Sequence, residues 1–210
     1  MKKGFTLSEV LITLGVVGVI AAMTLPALIR NINYFQYKTA YKKGYSVMSQ
    51  ALLSMVNDDQ FIWGGDFIAD NGYNYNNNYG DNFKLLSKYL KTSKTCFDND
   101  ADKCWYCNGE AGYYMSSAPN YLGCTKSSYA FIDNAGVAYY MYNNNENTFI
   151  IDTNGNKAPN QLGRDRFAIY FNKNETNRTV KFKPLSDYKT KQRWCPQGDC
   201  YFNSWLFGAK

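Results

Sequence analysis

The chain has 210 residues, with 23 Lys and Arg against 17 Asp and Glu and no His, so histidine-based catalytic triads, proton shuttles and zinc ligands are excluded at once. A formal charge of +6 is mild for this length. Six cysteines form an even set, and the composition leaves room for one packed domain beside any membrane segment.

The N-terminus reads MKKGFTLSEVLITLGVVGVIAAMTLPALI: a short basic leader, then an apolar run broken near its start by Glu9. Val10 to Ile29 carries no charge, and a helix of that length spans roughly the 30 Å hydrocarbon core of a bilayer. Lys2 and Lys3 ahead of it place the N-terminus in the cytoplasm and the chain from about Arg30 outside. A cleaved secretory signal would have the same polarity. Against it stand Glu9, the poor cleavage sequence Met23-Thr24-Leu25-Pro26, and a helical pattern that continues past Pro26. A carboxylate at the edge of a spanning helix is costly without a partner, which makes Glu9 a functional residue by default.

The segment Lys3-Gly4-Phe5-Thr6-Leu7-Ser8-Glu9-Val10-Leu11-Ile12 resembles the prepilin motif of type IV pilins and type II secretion pseudopilins. The resemblance implies that a prepilin peptidase cuts between Gly4 and Phe5 and methylates the new amino terminus. It implies that Glu9 guides the subunit into a helical filament by pairing with a neighbour's amino terminus. Pro26 matches the family's kink in this helix. The implied partners are the membrane, the peptidase and other copies of this chain or related pilin subunits. The implied location is the inner membrane, as a single-pass protein with its C-terminal domain outside, and then a cell-surface or periplasmic filament.

Beyond Pro26, Tyr37, Tyr41, Tyr45, Met48, Leu52 and Met55 recur at helical spacing, while Lys38, Lys42, Lys43 and Gln50 lie off the stripe. One helix is therefore predicted from near Phe5 to about Asp58, with Pro26 and Gly44 as bends rather than ends. Residues 64–82 form a Gly-, Asn- and Tyr-rich loop, and Phe83 to Leu90 a short amphipathic helix. An irregular cysteine-bearing segment, 95–125, follows. From Ser128 the period changes to strands at 129–132, 137–142, 148–151 and 166–171, joined by short turns. The expected fold is α+β, a long N-terminal helix packed on an antiparallel sheet with disulfide-stapled loops. Its parts are a leader at 1–4, a transmembrane or filament-core helix at 5–29, the amphipathic half of the same helix at 30–58, and a globular extracytoplasmic domain at 59–210.

Cys96, Cys104, Cys107, Cys124, Cys195 and Cys200 all fall on the outward side. In an oxidising compartment they read as up to three disulfides, with pairings that sequence leaves open. The rival is a zinc site built on Cys104-x-x-Cys107 with Cys96 and Cys124, although a second C-x-x-C is missing.

Asp152, Asn154 and Asn156 place oxygens at alternate positions around Gly155, and Asp165 could complete a shell for a hard cation. With two carboxylates and no final bidentate Glu, such a calcium site would be weak. The competing reading is a tight connection in which Asn and Asp hold the turn and Pro159 fixes the chain. Lys173 to Arg193 gathers seven basic residues against Glu175 and Asp187, a surface for nucleic acid or simply a solvated face. No phosphate loop, nucleophile elbow or paired acids stand out. With the resemblance implying a filament subunit, the sequence reads as a non-enzymatic protein that requires no cofactor, with calcium possible at the Asp152 loop. The alternatives are a DNA-binding competence-type pilin and a membrane-anchored extracytoplasmic enzyme.

Overall fold

The computed structural model describes residues 4, 6–63, 79–97, 100–106, 129–141, 148–160, 162–174, 176–184 and 204–208. Helix α1 runs from Leu7–Asn57, and Pro26 and Gly44 both lie inside it without ending it. Helix α2 covers Tyr79–Tyr89, one turn earlier at its start than its apolar pattern predicts. The strands are β1 Thr92–Cys96, β2 Tyr129–Asp133, β3 Ala138–Met141, β4 Thr148–Asp152, β5 Arg166–Asn174 and β6 Thr179–Pro184, and a short α3 at Ser204–Phe207 closes the described chain. Among the described residues these make one antiparallel sheet in sequence order, β1 to β6. The α+β class is the one expected.

The chain divides into two compact units, 1–36 and 37–210. In the first, α1 is apolar and uncovered: Leu11, Ile12, Leu14 and Val17 each remain more than 60% exposed. In the second, α1 from Tyr37 onward belongs to the same body as the sheet. Tyr41 stacks on Phe167 at 3.9 Å, and Met48, Leu52 and Met55 are buried below it. Gly44 faces Ile151 and Tyr139 on the sheet. From α2, Phe83 sits 4.8 Å from Phe131 and 5.6 Å from Phe149. The buried amide of Asn82 donates to the Ile62 carbonyl and accepts from the Ile62 N–H, tying the chain after α1 to α2.

Strand alternation assigns the two faces of the sheet. One face turns Phe131, Tyr139, Ile151 and Phe167, which lie in cross-strand register, toward the helices. The other carries the register Cys96, Ala130, Tyr140, Ile150 and Ala168. That second face is covered by a 3-10 turn at Ala101–Lys103 and by Trp105, whose ring stacks on Tyr140 at 4.9 Å. The Cys96–Cys104 disulfide holds this cover to the edge strand β1. Because these two cysteines bind each other, the zinc quartet that needed both thiolates is overturned. Cys107, Cys124, Cys195 and Cys200 lie outside the described residues.

Candidate functional site

Two places in the chain carry the residues that sequence marks as functional. The first is the start of α1. Thr6 is the N-cap: its hydroxyl accepts the Glu9 N–H at 3.3 Å, while Glu9 Oε2 accepts both the Thr6 N–H and the Thr6 hydroxyl at 2.8 Å. Thr6-x-x-Glu9 is thus a capping box, satisfying donors that a helix start leaves without partners. The Glu9 carboxylate is exposed and held by its own helix. The Ser/Thr-x-x-Glu spacing was available in the sequence and signals this arrangement. Gly4, two residues before Thr6, is exposed, and Phe5 is outside the described residues.

An uninterrupted apolar stretch follows the box. It is long and apolar enough to cross a membrane by length and composition, and none of it is buried among the described residues. Thr13 and Thr24 turn their hydroxyls back onto the carbonyls of Glu9 and Ile20, so their polar atoms are satisfied within the helix.

The second place is the connection between β4 and β5. Asp152 and Arg166 are direct cross-strand partners on the sheet face covered by Trp105. Arg166 Nε donates to Asp152 Oδ2 at 2.7 Å, with both side chains fully buried. Arg166 Nη2 donates to Asn160 Oδ1 at 2.9 Å and to the Tyr106 carbonyl at 3.1 Å, and the guanidinium carbon lies 4.1 Å from the Trp105 ring centre. Asp152 Oδ1 accepts the Asn154 N–H, and Asp165 Oδ2 accepts the Asn160 N–H. The Asn154 amide donates to the Ala158 carbonyl, while Asn156 is exposed. Gly155 has φ +67°, and a side chain there would meet the Gly136 carbonyl oxygen at 2.8 Å, so this loop packs closely on the β2–β3 turn.

Among the described residues Arg166 is the only buried base; it pairs with the buried Asp152, beside which the second buried acid, Asp165, lies. Burial pushes the Asp152 carboxyl up to about 7; the Arg166 guanidinium pulls it down and the nearby Asp165 adds to the rise. Tyr37 on α1 lies against the same loop, its hydroxyl raised by burial and by Asp165. The structure brings Asp152, Asn154 and Asp165 into one cluster and leaves Asn156 outward. Sequence reading missed Arg166 as the partner, because a cross-strand pair depends on a register that local pattern does not contain. No group of three or more Asp, Glu, Cys or His poised to hold a metal ion occurs among the described residues.

Of the basic segment, Lys181 and Lys183 are exposed on one face of the edge strand β6, opposite Asn172 and Tyr170 of β5. Residues 185–193 lie outside the described residues.

Residues 1–25 match a family model described as the prokaryotic N-terminal methylation motif. The match covers the N-terminal segment alone, the same residues that carry the resemblance to type IV pilins and pseudopilins. Comparison with curated proteins and with solved structures gives no match.

Proposed function

We propose that this protein is a structural subunit of a type IV pilus-like or type II secretion pseudopilus filament, matured by a prepilin peptidase and without catalytic activity of its own. The observation that carries this reading is the methylation motif opening an apolar helix half whose large side chains are exposed among the described residues. Such a surface needs lipid or neighbouring helices, and a filament core of bundled α1 helices supplies the latter. In that core Glu9 exchanges its own N-cap for a neighbour's amino terminus and so fixes the stagger between subunits.

Terminal sequencing of protein from its native host tests the processing step: Met1 to Gly4 should be absent and Phe5 methylated. Cleavage near Ala22 or Leu25 would make the segment an ordinary signal peptide. A second reading, an outer domain that holds DNA, draws on Lys181 and Lys183 side by side on one exposed strand face. It requires a mobility shift of duplex DNA that weakens steeply with salt and is lost in Lys181→Ala/Lys183→Ala.

A further inference from the structure

The β4–β5 connection has the oxygens that sequence reading assigns to a weak calcium site, and the structure shows what those oxygens face. A hard cation takes carboxylate, amide and backbone carbonyl oxygens together. Those three kinds of oxygen, from Asp152, Asn160 and Tyr106, converge on the Arg166 guanidinium at 2.7, 2.9 and 3.1 Å. Of the remaining oxygens, Asp152 Oδ1 accepts the Asn154 N–H and Asp165 Oδ2 the Asn160 N–H, while Asn154 Oδ1 is buried without a hydrogen-bond partner among the described residues and is by itself too few to hold a metal ion. The indole of Trp105 covers the guanidinium face, a neighbour suited to a planar organic cation and unable to complete the shell of a metal ion. A divalent ion approaching Asp152 would meet a fixed positive charge already bonded to its oxygen.

We infer that Arg166 is this loop's own cation: it takes the position that calcium would take among Asp152, Asn160 and Tyr106, and the outer domain folds without a bound metal. The donor set of Asp152, Asn154, Asn156 and Asp165 does not fit calcium while Arg166 is present. Asn156 points outward, and one carboxylate is spent on the guanidinium. Removing Arg166 converts an occupied oxygen cluster into a cation-accepting one.

The test uses the full-length chain in detergent micelles, with thermal unfolding followed by tryptophan fluorescence in EDTA, magnesium chloride or calcium chloride at about 5 mM, above the range of weak extracellular sites. The native chain should melt at the same temperature in all three, within about 1 °C, since a ligand that does not bind shifts nothing. A calcium-specific rise that disappears in Asp152→Asn would overturn the inference. Arg166→Ala should melt lower in EDTA and recover in calcium but not in magnesium. If this variant fails to fold in EDTA, its refolding yield in calcium against EDTA gives the same reading. Absence of any calcium effect on Arg166→Ala would show that the guanidinium does not stand in a cation's place. Arg166→Lys retains a positive charge and should stay indifferent to calcium; a calcium response there would also overturn the inference.

Discussion

At the scale of single residues, the Thr6–Glu9 box separates two roles that one acid could play. It involves neither Gly4 nor any earlier residue, so cleavage after Gly4 would leave it intact. Thr6→Val should cost about 1 kcal/mol of helix start and speed amide exchange at positions 6 and 9. Glu9→Gln retains a capping side chain and should keep those amides protected, yet it should lower filament incorporation in shear fractions, because the charge is gone. Equal incorporation of Glu9→Gln and native subunits would leave Glu9 a cap and nothing else. The Asp152 carboxyl gives a pH dependence with a definite sign. Its ordinary value is near 3.9, and folding raises it to about 7, so the folded chain keeps a proton that the unfolded chain releases. The stability held by that proton is fully present below about pH 4 and is lost as pH rises through about 7. Melting temperature should therefore fall over this interval, and Asp152→Asn should flatten the slope; an unchanged slope in the variant would assign the effect to other groups.

At the scale of elements, the disulfide fixes the cover of one sheet face to an edge strand. Cys96 and Cys104 are separated by 8 positions, and closing so short a loop contributes about 2 to 3 kcal/mol. Cys96→Ser/Cys104→Ser should lower the melting temperature by several degrees, and it should expose Trp105 to a collisional quencher, because the stack on Tyr140 loses its tether. Strands β2 to β5 were legible in sequence since each carries apolar or aromatic runs between turn residues. β1 was not: its burial leaves Ser93, Lys94 and Thr95 exposed, so no alternation marks it. β6 does alternate, with Phe182 and Pro184 inward and Lys181 and Lys183 outward, but in sequence those lysines belong equally to the basic run 173–193, which masks the alternation. Lysines on an edge strand discourage pairing with another chain, which gives them a structural use independent of any ligand. On the helix side the Tyr45 hydroxyl donates to the Phe182 carbonyl at 2.7 Å, occupying an acceptor on that strand. The α1 stripe was readable because its spacing is local; the Asp152–Arg166 pair was not, because fourteen positions and a strand register separate its members.

At the scale of the whole molecule, the contrast is between an apolar helix half that is exposed among the described residues and a body with a built core. Removal of residues 1–36 should give a protein that stays monomeric without detergent and melts close to the full chain, since the unit 37–210 retains the sheet and the part of α1 that packs on it. Loss of cooperative unfolding in the truncated chain, by fluorescence and circular dichroism together, would show that the first unit contributes to the core. The buried guanidinium on β5 carries a final consequence. A metal borrowed from the surroundings has a dissociation constant, and its occupancy drifts with every change in the medium. A counter-ion covalently attached to the strand that needs it is present at fixed local concentration from the moment the register closes. A domain equipped in this way reaches the same folded state in dilute, chelating or calcium-rich fluid.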